Sequence, residues 1–152
     1  MDLSIAIELC KEFEGLKLTP YLCPAGIPTI GYGSTFYEDG TRVTLQDPTI
    51  TEPRAQELLE HELRTHCAPA VLRLCPGLAN DEARFNAMVD FVYNLGSGRL
   101  QTSTLRRCIA ARDWQGAVEQ INKWVWGAGK KLPGLVKRRE AESVLMFGGS
   151  ES

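Results

Sequence analysis

The chain has 152 residues, of which 43% are hydrophobic and 24% charged, with a formal net charge of −2. That length supports one sizeable core, or a small lobe packed on a larger one, and excludes two independent domains of ordinary size. The near-neutral charge argues against nucleic acid as the main partner, because such binding rests on neutralising many phosphates with Lys and Arg. Cys10, Cys23, Cys67, Cys75 and Cys108 form an odd set without a CxxC pair. They suit reduced thiols better than a disulfide framework, and His66 beside Cys67 lacks further zinc ligands, so no metal and no cofactor is expected. The N-terminus carries Asp2 and Glu8 and no basic n-region, and no stretch approaches the roughly 18 apolar residues that span a bilayer, so no stable membrane insertion is expected.

In chain order, Ile5, Ala6, Leu9, Cys10 and Phe13 fall at helical spacing before Gly15, which predicts a helix over 3–14 with Glu14 as its last residue. A carboxyl at the negative end of a helix dipole is disfavoured as an anion, which suits a proton donor. Lys17 to Cys23 and Thr29 to Thr35 read as two strands of a hairpin around the turn PAGIP, with a third short strand over 41–44. Gly31-Tyr32-Gly33 inside the second strand marks a close approach of the backbone to another segment or a ligand. Thr51-Glu52-Pro53 opens a long helix whose apolar face continues to Leu74, kinked at Pro69 and ended by Pro76-Gly77.

The remainder reads as helical. Asn80 or Asp81 opens a segment closed by Gly96; Ser103 caps a short one; Asp113 caps one running to about Trp126; and a last helix covers about 135–147, with the tail GGSES fraying. Trp114, Trp124 and Trp126 are expected in packing. Between Glu119 and Glu140 stand six basic residues and no acidic one. They form a solvated face, a patch for an anionic polymer, or an anchor for a buried carboxylate. The fold class is α+β: a small antiparallel sheet lobe (about 15–50) and a larger helical lobe (about 76–147 plus the helix 3–14), joined by a long helix, with a cleft between them, all within one domain over 1–152.

Glu14 at a helix end, with Cys23 and Thr29 on neighbouring strands, sets an acid opposite a pair able to hold water, an arrangement suited to glycosidic-bond hydrolysis. The spacing Glu, eight residues, Cys, five residues, Thr resembles the signature of the phage-type lysozymes, the endolysins of glycoside hydrolase family 24. The surrounding EGLKLTPY and TIGYGST, then FVYNLGSG at 91–98, STLRR at 103–107 and GLVKRREAE at 134–142, are similar to that family's motifs over nearly the whole chain.

The resemblance implies a lysozyme-like fold and a muramidase that cuts the β-1,4 bond between N-acetylmuramic acid and N-acetylglucosamine in bacterial peptidoglycan, lysing a host cell. Glu14 is then the general acid, Cys23 and Thr29 hold the attacking water with inversion, and Gly33, Tyr93 and Asn94 line sugar subsites. Either Arg138 or Arg139 pairs with Glu14. Ser34 stands where many members have His, and Cys23 where Asp is commoner; a thiol with an ordinary pKa near 8.5 is mostly neutral at pH 7. Cys10, one turn before Glu14, reads first as core and second as a disulfide partner for Cys23. Two rival functions share the fold: a sugar-binding module without catalysis, and a lytic transglycosylase. The enzyme is expected to act as a monomer, to collect in the host cytoplasm and to need a holin to reach the wall.

Overall fold

The computed structural model describes residues 1–149; the expected fraying of Ser150 to Ser152 lies outside the described residues. Helix α1 (Ser4–Glu14) buries Ala6, Ile7 and Cys10 and stops at Gly15, whose φ of 73° few side chains tolerate. Its first turn is tied down from a distance: Ala6 N donates to Asn86 Oδ1 at 2.9 Å, filling one of the donors a helix start leaves unpaired.

Strands β1 (Lys17–Leu22) and β2 (Pro28–Gly31) pair antiparallel, with Tyr21 opposite Thr29 and Leu22 opposite Pro28. The register slips between Lys17 and Tyr21, where Pro20 has no N–H to give to a ladder. The second strand is shorter than predicted. Gly31 and Gly33 have φ of 68° and 94°, and Ile30 and Ser34 exchange both backbone hydrogen bonds at 2.9 Å, so the chain folds back on itself before Thr35. The expected third strand is reduced to a single bridge between Phe36 and Arg42 around the Asp39-Gly40 turn. A small cluster of Ile30, Val43 and Leu58 seats this lobe on the next helix.

Helix α2 (Glu52–Glu62) starts as predicted, with Thr51 Oγ1 accepting from Arg54 N. It widens into a π-helical turn, Leu63–Cys67, and resumes as α3 (Ala68–Leu74) before a 3₁₀ turn at Pro76–Leu78. The expected irregularity at Pro69 is therefore present just upstream of it: the wide turn closes with Ala68 N donating to Leu63 O, one residue before the ring that a regular helix would crowd.

Helix α4 (Glu82–Leu95) runs through the core, buried at every residue from Ala83 to Val92. Around it lie α5 (Ser97–Gln101), α6 (Thr104–Ala110), α7 (Trp114–Ile121) and α8 (Pro133–Gly148). Asp81, Ser103 and Asp113 cap α4, α6 and α7. Two expectations need correction here. The helix after Asp113 ends at Ile121 rather than near Trp126, and a two-stranded hairpin follows, β3 (Trp126–Gly127) with β4 (Lys130–Lys131), turned by Ala128 and Gly129 at φ 50° and 77°. Trp114 and Trp124 pack against the core, but Trp126 is 63% exposed. The architecture is α+β and lysozyme-like: a small antiparallel sheet and a helical body joined by the long α2–α3 segment.

Candidate active site

Glu14 is placed by α1 and held by α8. Arg138 Nη1 donates to Glu14 Oε2 at 2.6 Å, while its Nε and Nη2 make a bidentate pair with Asp90 at 3.0 and 2.8 Å. Arg138 and Asp90 are 3% and 0% exposed. This resolves the choice between the two arginines. Arg139 turns the other way, with Nη2 donating to Glu142 Oε2 at 2.9 Å and to Asn94 Oδ1 at 2.8 Å. Its Nε lies 2.8 Å from Glu142 Oε1 without the alignment of a hydrogen bond.

The buried chain therefore runs Glu14, Arg138, Asp90, Glu142, Arg139, Asn94, with its two ends in one cleft. Burial pushes the Glu142 carboxyl well above the usual carboxylate range, and its hydrogen bond to Asp90 adds to the effect. Burial opposes ionisation of Asp90 too, but hydrogen bonds from Glu142 and Arg138 outweigh it and hold that group below its ordinary value. A protonated Glu142 donating to Asp90 removes one of the two like charges that this buried pair of carboxyls would otherwise carry. Cys10 belongs to the same cluster: it is wholly buried, donates to Asp90 Oδ1 at 3.3 Å, and burial drives its thiol far upward. Cys10 therefore has a core role, and all five cysteines are free.

The cleft has a volume of about 450 Å³ and is lined by Glu14, Gly33, Tyr93 and Asn94 together with Ser34, Glu62 and His66, among others. Gly33 explains the glycine reading of the hairpin. A Cβ there would sit 3.1 Å from Glu14 Oε1 and 3.3 Å from the Tyr93 hydroxyl, at a φ of 94°. Gly31 is pressed in the same way against Ala55, at 3.1 Å. Tyr93 donates to Tyr32 O at 2.8 Å, which ties α4 to the hairpin, and burial raises its phenol well above the ordinary value, with the Glu14 charge adding. With Arg138 on Oε2, Oε1 is the oxygen that faces the cleft side of Gly33.

Cys23 and Thr29 are brought together, but outside the lining of that cleft. In the hairpin register Tyr21 opposes Thr29, and Cys23 lies two residues on, so all three share one face. Thr29 is 3% exposed and donates to Ile27 O at 2.8 Å. A backbone hydrogen bond at Ile27 pulls the Cys23 thiol below its ordinary pKa, outweighing slight burial, with Ala25 and Thr29 assisting. Tyr21 links the two halves: burial raises its phenol, and the charges of Glu14 and Cys23 raise it further, so both lie within electrostatic reach of it.

Sequence reasoning missed Asp90, Glu142, Tyr21 and Glu62, and it read Ser34 only as a lost imidazole and His66 only as an incomplete zinc site. Two of these left a signal. Asp90 interrupts the apolar run MVDFV, and Glu142 lies one turn past Arg138 and Arg139. The basic run is divided by the fold: Arg138 and Arg139 are buried as anchors, whereas Lys123, Lys130, Lys131 and Lys137 are exposed. Among the described residues no cluster of His, Cys, Asp or Glu could hold a metal, and no helix is long and apolar enough to cross a membrane.

A small sheet against a helical body, with a carboxyl held by a buried arginine in the cleft between them, defines a lysozyme-type glycoside hydrolase. Residues 11–142 match the phage lysozyme family, and the chain belongs to it. It is 33% identical to a SAR-endolysin of Bacteriophage PS119 over 140 residues, which is 91% of this chain and 78% of that one. An endolysin from Escherichia coli O157:H7 phage FAHEc1 superposes with a TM-score of 0.84 at 32% identity, covering 97% of this chain and 94% of the other. A point mutant of P22 lysozyme superposes at 0.79 with 31% identity, covering 95% of this chain and 97% of the other. The chain is thus a phage lysozyme, a muramidase that degrades peptidoglycan.

Proposed function

We propose that the enzyme hydrolyses the β-1,4 bond between N-acetylmuramic acid and N-acetylglucosamine with inversion, and that Glu14 is its general acid. The observation that carries this reading is the fixed carboxyl: Arg138 holds Oε2 at 2.6 Å from the protein side and leaves Oε1 for the leaving oxygen. Water is held on the opposite face of the sugar by Cys23 and Thr29, where the lowered thiol pKa favours a thiolate able to take the water's proton. As that water attacks the anomeric carbon, the glycosidic oxygen leaves with the proton of Glu14. Gly33, Tyr93 and Asn94 line the sugar subsites, Gly33 because its missing side chain lets the glycan approach Glu14.

The domain acts as one unit over 1–152 and as a monomer. It reaches the wall from the host cytoplasm after a holin opens the way, and fractionation of host cells with and without a holin tests that route. The chemical test is mass analysis of fragments released from purified walls by the wild type and by Glu14→Gln. Reducing muramic acid ends from the wild type and none from the variant are expected. Anhydro ends assign the reaction to transglycosylation, and undiminished lysis by Glu14→Gln removes Glu14 from its role.

A further inference from the structure

The part of the basic run that the active site does not absorb gathers around the β3–β4 hairpin. Lys130 and Lys131 form its second strand, Lys123 stands just before its first, and Lys137 lies in the second turn of α8. All four are exposed, and among the described residues none makes an ion pair or a side-chain hydrogen bond. Lys11 and Arg54, by contrast, are paired with Glu52 and Glu38. No acidic residue between Glu119 and Glu140 offsets the four charges locally.

The hairpin also carries a ring that the core leaves out. Trp114 lies against Arg84, whose guanidinium carbon is 3.7 Å from the ring centre, and Trp124 packs edge-on to Phe91 at 5.8 Å. Trp126 is 63% exposed and has no aromatic or cationic partner among the described residues. It is paired across the strands with Lys131, so the indole and that ammonium stem stand on one face. On the other face Lys130 opposes Gly127, and Leu132, itself 38% exposed, covers Gly127. The turn, Ala128-Gly129, has two positive φ values, the conformation of a tight two-residue hairpin, and bears no polar side chain. Its root is fixed: Val125 is buried, Leu132 N donates to Val125 O at 2.9 Å, and Arg139 Nη1 donates to Trp124 O at 3.4 Å.

An apolar tip with basic shoulders suits a bilayer interface. An indole settles at the headgroup level, lysine stems lie along apolar surface while their ammonium groups reach phosphates, and an anionic leaflet attracts each such charge. A soluble polyanion would engage the lysines and gain little from a bare indole beside a turn without polar side chains. We propose that this hairpin docks the enzyme on an anionic phospholipid membrane, with Trp126 among the headgroups and Lys123, Lys130, Lys131 and Lys137 on lipid phosphates. The contact is peripheral and weakens with salt. None of these residues lines the catalytic cleft, so docking and glycan cleavage use separate surfaces.

The test is flotation of the full chain with vesicles of phosphatidylcholine alone or mixed in equal parts with phosphatidylglycerol, read together with tryptophan emission. The wild type is expected to bind the mixed vesicles at least about tenfold more tightly than the neutral ones, with a blue shift, and to come off as salt rises. Changing Lys130→Gln and Lys131→Gln together should weaken binding roughly 30-fold, the share of two lysines near an anionic surface. Trp126→Ala should abolish the blue shift, because Trp114 and Trp124 keep their packing. If the hairpin variants alter the circular dichroism, Lys123→Gln with Lys137→Gln, which leaves the hairpin intact, carries the same expected loss. Wall lysis in solution should stay at the wild-type rate in all of them. Equal binding to both vesicles, binding that survives both lysine pairs, or an unshifted emission in the bound wild type overturns the docking surface. Binding to polyphosphate without binding to the mixed vesicles assigns the lysines to a soluble polyanion and also overturns it. These results leave the muramidase reading intact, because that reading fails only in the wall-fragment assay.

Discussion

Glu142 provides the sharpest test of the buried network. A carboxyl whose pKa is raised by folding stabilises the native state fully below its unfolded value, near 4.3, and loses that contribution as pH rises through the folded value. Glu142 is fully buried against Asp90 and keeps its proton well above the usual range. From about pH 5 upward it therefore costs the wild type about 1.4 kcal/mol of stability per pH unit for as long as it stays protonated. Glu142→Gln keeps the shape and a donor for Asp90 but does not titrate. Asp90, held low by its partners, contributes stability that is lost only as pH falls through its lowered pKa, so it cancels in the difference above pH 5. Urea unfolding of both proteins at half-unit steps from pH 5 to 8 measures that difference. It should move in the variant's favour with the stated slope. Any loss of fit at Arg139 shifts the intercept and leaves the slope untouched. A difference independent of pH would mean that Glu142 is ionised in the fold and does not share a proton with Asp90.

Gly33→Ala forces a side chain into a left-handed backbone at a cost of about 1–2 kcal/mol and pushes on Glu14 Oε1, so wall lysis should fall by at least about tenfold while most of the fold survives. Ser34 Oγ is buried beside Tyr93 without the geometry of a hydrogen bond. Ser34→Ala should therefore stabilise by about 1 kcal/mol in urea unfolding while raising KM for walls if the hydroxyl serves the substrate; lost stability would show that the hydroxyl has a partner in the free protein. Iodoacetamide at pH 7 should label Cys23 well before Cys67 and Cys75, whose thiols burial pushes up to about 12 and 11, and activity should decline in step with Cys23 labelling by peptide mass. Activity that survives complete labelling of Cys23 would exclude a thiolate from the reaction.

Much of the fold was legible because its signals are local. Thr51, Ser103 and Asp113 cap where their side chains predict, and α1 and α4 carry apolar faces at helical spacing. The misses fall where short-range rules compete. Gly31 and Gly33 read as strand residues with a close neighbour; the neighbour is real, but two positive φ values also end the strand. The hairpin after Trp124 was hidden because the preceding residues continue a helical pattern, and only Gly127, Ala128 and Gly129 mark the turn. In the site, the spacing of Glu14, Cys23 and Thr29 was visible at once. The partner of Glu14 was legible only through the family resemblance, which left Arg138 and Arg139 open, and Asp90 was not legible at all: Arg138 is 124 residues from Glu14 in sequence and Asp90 lies 48 from Arg138, separations on which no periodicity reports.

Those separations bear on how the cleft is assembled. Glu14 is covalently close to its hairpin, with only Gly15 and Leu16 between α1 and β1, so the acid and the Cys23–Thr29 face can form early from local contacts. The orientation of the carboxyl, however, comes from α8, the last helix, and through it from Asp90 on the central helix. Until α8 docks, Glu14 lacks the guanidinium that fixes Oε2, and Asp90 is left as an apolar-flanked carboxylate without its bidentate partner. Docking of α8 therefore satisfies Asp90 and orients Glu14 in one event, because a single guanidinium serves both. Stability and catalytic geometry are coupled through Arg138, so a change at either carboxylate is felt at the other even though one lies in the core and one in the cleft.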